Sequence, residues 1–174
     1  MSNGDLYADW LRQAYEEATK SPDPSTQNGA LLVYDTFANG VPIDDPDIVA
    51  VDHNRFPDGV EYLNERWERP LKYKIIEHAE RNVIYKAASK RTGTGGSTMV
   101  CPWAACSDCA RAIIQSGVKK LVTHKQAGDR SPPFWKEEIK VAFEMLNEAK
   151  VEIVLFDGKV DGPEVRHSGE VWTP

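Results

Sequence analysis

The sequence predicts an α/β fold built on a mixed sheet with helices packed over it. Two observations carry this. Five short apolar runs of strand character are interleaved with helix-periodic segments, in strict alternation from residue 97 onward. The chain, at 174 residues, is also long enough to close one hydrophobic core without covalent staples.

Each element follows from its residues. DLYADWLRQAYEEAT (5–19) sets Leu6, Trp10, Leu11, Ala14 and Ala18 along one helical stripe. SPDPSTQNG (21–29) ends that helix, because Pro22 and Pro24 cannot continue it. ALLVYD then reads as a buried strand and DIVAV (47–51) as its antiparallel neighbour, with TFANGVPIDDP between them as a loop. KYKIIEHAERNVIYKAASK (72–90) is helical in its later part, with Ala79, Val83 and Ala87 in register. GTGG (93–96) ends it and STMV (97–100) is a short strand. Helical spacing returns near Cys106 with Ala110, Ile113, Ile114 and Gly117. KKLVTH is a strand, PPFWKEEIKVAFEMLNEA a helix entered through proline, and VEIVLF the last strand. One domain over 1–156 is expected, with 157–174 an irregular tail of no assigned role.

Bulk properties narrow the function. Hydrophobic residues make up 41% and charged residues 28%, and no apolar run approaches the roughly 20 residues of a membrane helix. MSNGDLYADW lacks the basic-then-apolar layout of a signal peptide. A cytoplasmic location with no membrane partner is therefore expected, and a structural disulfide is not. The net charge of −6 argues against long nucleic acids, whose binding depends on neutralising phosphates. It leaves a single nucleotide open as partner.

All three cysteines fall in VCPWAACSDCARAIIQSGV (100–118), as Cys101, Cys106 and Cys109. The C-x-x-C of Cys106 and Cys109 admits a redox pair, a structural metal site or a catalytic one. His78 favours a metal, since HAE opens one helix as CSDC opens another, and two strand-to-helix junctions on the same edge of a sheet would bring them together. Three protein ligands with one open position mark catalytic zinc. A structural site would need a fourth ligand, for which Cys101 and His124 are the candidates. Glu80 favours catalysis: two residues beyond His78, it can face the site without ligating and shuttle a proton.

H-x-E followed by a C-x-x-C that opens a helix is the pattern of zinc nucleobase deaminases. The chain resembles the cytidine/deoxycytidylate deaminase superfamily, most closely its deoxycytidylate members. The residues that carry the resemblance are STQNGALLV, HNRFP, EHAERNVIY and CSDCARAIIQSGVKKLV. The resemblance implies a three-layer α/β/α cytidine-deaminase-like fold, a five-stranded mixed sheet with helices on both faces. It implies one catalytic zinc ion per subunit on His78, Cys106 and Cys109, with Glu80 as proton shuttle. The Ala79 N–H would meet the pyrimidine carbonyl, Asn54 the deoxyribose, and the Ala30 neighbourhood one wall of the base pocket. Trp103 and Ala104 would line the amino-group exit, and Ser25 and Arg55 would take the phosphate. The activity implied is conversion of dCMP to dUMP, by an enzyme that assembles as a homo-oligomer. Two departures stand out: Ala105 replaces the usual proline before the first cysteine, and Arg55 replaces a glycine in the effector-binding stretch of regulated members.

Other readings compete. Cys101 reads as a buried strand-end thiol, His124 and His167 as ordinary polar residues, and His53 as pocket or surface. Phe134 and Trp135 read as core or subunit contacts, Asn54 alone as a turn residue, and Arg55 alone as a surface charge. Whole-protein alternatives are a deaminase of 5-substituted dCMP, dCTP, cytidine, guanine or tRNA adenosine, and a non-catalytic zinc-stabilised interaction module.

Overall fold

Helix α1 (Asn3–Ala18) buries Trp10, Leu11, Ala14 and Ala18 as the stripe predicts, and adds Tyr15, which is fully buried. A computed structural model describes residues 3–34, 37–38, 41–42 and 47–174. After α1 come strand β1 (Gly29–Tyr34), the two-residue strands β2 (Phe37–Ala38) and β3 (Val41–Pro42), and β4 (Asp47–His53). The expected loop between β1 and β4 thus contains a small hairpin, and its remaining residues lie outside the described ones.

A 3₁₀ turn (Asn64–Trp67) and the one-turn helix α2 (Lys72–Ile75) lead to α3 (Ala79–Ser89). Strand β5 (Thr98–Val100), helix α4 (Ser107–Gln115) and strand β6 (Lys120–His124) follow. Then come a short helix α5 (Lys125–Asp129), which the periodicity did not indicate, α6 (Pro133–Glu148) and β7 (Glu152–Phe156). The segment beyond Asp157 is not irregular throughout: β8 (Val165–His167) and β9 (Glu170–Trp172) form a hairpin.

The main sheet has the order β4-β1-β5-β6-β7, with β1 antiparallel to both neighbours and β5, β6 and β7 parallel. This is the mixed five-stranded sheet expected. Alternation along the strands splits the core into two layers. Leu32, Met99 and Leu121 face α3, α4 and α6, whereas Leu31, Val33, Val100 and Val122 face α1. Helices therefore cover both faces. On the second face α1 is joined by Val160, Val165 and Trp172, so the C-terminal segment completes a layer that one helix leaves open.

Gly29 fixes how closely α1 approaches the sheet, since a Cβ there would lie 2.3 Å from the Ala14 carbonyl oxygen. The α1–β1 loop meets the residues just past β5, Asn28 Nδ2 donating to Cys101 Sγ at 3.1 Å and Trp103 Nε1 to the Gln27 carbonyl at 3.2 Å. Among the described residues no helix is long and apolar enough to cross a membrane.

Candidate active site

His78 and Cys106 occupy the same structural position, each the extended residue just before a helix: ψ is 152° at His78 before α3 and 172° at Cys106 before α4. Neither caps its helix with its own side chain, so both are free to face each other. Cys109, in the first turn of α4, joins them. His78 is not delivered by a strand of the main sheet, as the motif reading supposed. Glu77 is held instead by a bridge to Arg55, just past β4, with backbone bonds of 2.8 and 3.1 Å.

The His78 Nδ1 atom lies 3.5 Å from the Sγ of Cys106 and 3.5 Å from that of Cys109. Zinc bonds of about 2.3 Å to sulfur and about 2.0 Å to nitrogen, at the tetrahedral angle, require an edge of about 3.5 Å. Both histidine-to-sulfur distances match that edge, and the three ligand atoms all lie within 4.8 Å of one another. The partial positive charge of two helix N-termini favours the thiolate form that a metal needs. Hydrogen bonds from the Cys109 thiol and the His78 ring hold Cys106 well below the usual thiol range, while burial pushes Cys109 up. Arg81, ion-paired to Glu77 and Asp108, places Nη1 3.7 Å from the Cys109 sulfur. It balances charge at that ligand, a role the sequence reading did not assign.

Glu80 is 2% exposed, and among the described residues its Oε2 has no hydrogen-bond partner. Burial raises its pKa. A buried carboxylate oxygen left unpartnered costs free energy, so its presence beside the three ligands fits a group that works on a bound molecule. The donor set, its spacing and this orphaned oxygen all fit a catalytic zinc ion.

The site opens into a concave, partly enclosed cavity. His78, Glu80, Cys106, Trp103 and Ala104 line it. Trp103 is fixed by donating from Nε1 to the Gln27 carbonyl at 3.2 Å. Ala79, first residue of α3, is fully buried beside His78, and its N–H begins the helix without an intrahelical acceptor. Ala30 is fully buried in β1 within the core under α3 and does not line the cavity.

Ser25 and Asn54 line the cavity, and both belong to a network centred on Asp23. Asp23 Oδ1 accepts from the backbone N–H groups of Ser25 and Thr26 and from Lys72 Nζ at 2.7 Å; its Oδ2 accepts from Asn54 Nδ2 at 3.0 Å. Asn54 also donates to the Thr26 carbonyl and accepts from the Asn28 N–H. Both amide hydrogens of Asn54 are thus engaged within the protein, so contact with a sugar is limited to the second lone pair of Oδ1.

Arg55 does not line the cavity. Its guanidinium pairs with Asp52, through Nε at 3.1 Å and Nη2 at 3.2 Å, and with Asp58. Those carboxylates make it a clamp on the end of β4 rather than an anion receptor. Cys101 is the buried strand-end thiol expected, accepting from Asn28 Nδ2 at 3.1 Å. His124 bonds to Tyr15 and to the Gly158 carbonyl and is no ligand; His53 bonds to Glu17. Trp135, read as core or interface, lines the cavity near His78, with ring centroids 6.2 Å apart. The sequence reading also missed Arg69, Lys72, Tyr73, His167 and Ser168, all on the cavity surface. Only the alternation of donors and aromatics before HAE hinted at the first three.

Comparison with known proteins agrees with this geometry. A family model described as the cytidine and deoxycytidylate deaminase zinc-binding region matches residues 6–125. A protein of Aliivibrio fischeri named only as an uncharacterised deaminase is 34% identical over 152 residues, spanning 85% of this chain and 94% of that one. The human deoxycytidylate deaminase is 30% identical over 128 residues, 68% of this chain and 66% of that protein. A phage T2 deoxycytidylate deaminase is 40% identical over 75 residues, covering 39% of its length. The crystal structure of a cyanophage S-TIM5 dCMP deaminase superposes with a TM-score of 0.61 at 21% identity, over 89% of this chain and 99% of that one, which is agreement in fold. With the matched segment enclosing all three metal-ligand candidates and Glu80, the chain belongs to the zinc-binding cytidine and deoxycytidylate deaminase family.

Proposed function

We propose that this chain hydrolyses dCMP to dUMP and ammonia. The observation that carries the reading is the buried, unpartnered carboxylate oxygen of Glu80 beside a His-Cys-Cys set of zinc spacing. The deoxycytidylate deaminases among its relatives support cytosine nucleotides as the substrate class.

His78, Cys106 and Cys109 would hold a zinc ion, which would make a water acidic enough to lose a proton near neutral pH. Glu80 accepts that proton and passes it to ring N3 as the oxygen bonds to C4. Glu80 then takes the proton of the new C4 hydroxyl and delivers it to the amino group, the C4–N bond breaks as the C4 carbonyl forms, and ammonia leaves. One water is taken up and one ammonia released, with no change of oxidation state. The Ala79 N–H holds the pyrimidine carbonyl, Asn54 orients the sugar through Oδ1, and the backbone at Trp103 and Ala104 borders the departing amine. The same reading makes the protein a cytoplasmic homo-oligomer, which sizing of the purified chain tests.

A second reading, a related deaminase with another preferred base, is favoured by one observation: the relative matched over most of both chains is named only as a deaminase. Ammonia release from dCMP, dCTP, cytidine, 5-substituted dCMP, guanine and adenosine separates the two. Glu80→Gln is expected to keep one zinc per chain and to lose about 10²–10⁴ in kcat. A Glu80→Gln protein that deaminates at a substantial fraction of the wild-type rate sinks the mechanism.

A further inference from the structure

The C-terminal hairpin bears on this cavity in a way the metal motif does not explain. Its strands turn at Ser168 and Gly169, both at positive φ (53° and 85°). Four hydrogen bonds join it to the α1–β1 loop. Gln27 N–H donates to the Arg166 carbonyl and Gly169 N–H to that of Ser25, each at 2.8 Å. Arg166 N–H meets Gln27 Oε1 and Ser168 N–H meets Thr26 Oγ1, each at 3.1 Å. His167 lies flat on Trp103, with ring centroids 3.5 Å apart and planes inclined by 10°. It is 8% exposed and lines the cavity, yet among the described residues neither of its ring nitrogens has a protein hydrogen-bond partner. A mostly buried imidazole on a cavity wall with no protein partner leaves its ring nitrogens to solvent or to a molecule bound there.

The remaining polar groups indicate what that is. Ser25 and Ser168 are drawn together by the Gly169 bond, and both line the cavity. Arg69 lines it too, over the Tyr73 ring at 5.4 Å, with no carboxylate partner among the described residues. The lining carboxylates are Asp23, already paired with Lys72, and Glu80, assigned to the ring chemistry. What is left over is a set of donors, which suits an anion. Burial keeps His167 neutral near pH 7, its pKa pushed down to about 4, so one ring N–H is available to donate.

We propose that His167 and Ser168 of the C-terminal hairpin, with Ser25 and Arg69, bind the substrate's 5′-phosphate and set the preference for a nucleotide over a nucleoside. This rests on the cytosine-nucleotide reading above and goes beyond it, because the hairpin lies outside the family-matched residues 6–125.

The test compares the zinc-loaded wild type with His167→Phe, His167→Gln and Ser168→Ala on dCMP and deoxycytidine. It uses kcat/KM, with calorimetric affinities for both ligands in case the nucleoside turns over too slowly. Phe keeps the stack on Trp103 and removes the donor; Gln restores one. His167→Phe is expected to lower kcat/KM and affinity for dCMP by about ten- to a hundredfold. The loss for deoxycytidine is expected to be at least about fivefold smaller, and Gln should recover part of the dCMP loss. Equal losses on both substrates, or none on dCMP, overturn the hairpin assignment while leaving the deaminase reading intact. A wild type that does not distinguish dCMP from deoxycytidine also overturns the hairpin assignment, and one that deaminates neither overturns the dCMP reading as well.

Discussion

Asp23→Ala tests whether the cavity wall is built as described. The carboxylate is side-chain buried to 2% exposure and the ammonium of Lys72 to 7%, at 2.7 Å. Removing one partner of such a pair leaves a buried charge uncompensated, which costs about 3–5 kcal/mol. The N–H groups of Ser25 and Thr26 lose their acceptor as well, at up to about 1 kcal/mol each, less whatever water recovers. A total of about 4–6 kcal/mol follows, a large share of the ~5–15 kcal/mol that holds a domain folded. At about 2–4 °C per kcal/mol for a chain of this size, Tm should fall by at least about 8 °C.

Asparagine should not rescue, because each carboxylate oxygen accepts a hydrogen bond and either amide orientation sets a donor against a donor. Lys72→Met in the Asp23→Ala background should restore part of the loss. Urea unfolding of the four zinc-loaded proteins of that cycle gives the coupling energy, expected to exceed about 2 kcal/mol. A loss below about 1 kcal/mol for Asp23→Ala, or additivity within about 0.5 kcal/mol, would refute the account.

Two further outcomes follow from the site and its roof. Stripping zinc with a chelator should abolish deamination and lower Tm, and added zinc should restore both, since a ligand bound only by the folded state stabilises it by mass action; an apo protein of unchanged Tm contradicts the three-ligand site. His167 titrates low because burial disfavours its charged form. Its contribution to stability is therefore complete above about pH 6.5 and lost as pH falls through about 4. Urea midpoints at pH 7, 5.5 and 4.5 should fall less steeply in His167→Phe than in wild type, and identical slopes count against a buried neutral ring.

Most of the fold was legible because its elements are locally written. The α1 stripe, the proline stop at 22–24 and the alternating strands each needed only neighbouring residues. The metal-ligand candidates were legible for a different reason: His78 and Cys106 open helices in the same way, and that equivalence shows in sequence. Arg55 misled because a guanidinium near a pocket motif gives no sign of its own carboxylates, and Asp52 and Asp58 lie three residues to either side. Asn54 lines the cavity, but its engagement with Asp23 depends on a contact 31 residues away. The hairpin escaped notice because its strands are three residues long, and its layer exists only once β1 and α1 are in place.

That hairpin divides the enzyme along its chain. The residues proposed for the reaction fall within 78–109, inside the family-matched segment, whereas part of the cavity wall comes from 167–168, beyond it. A change in the last strands can alter what fits without touching the atoms that react. Relatives sharing the metal motif can therefore diverge in substrate through a segment that motif searches do not read. Exchanging residues 165–172 between such relatives becomes a direct way to move selectivity from one to another.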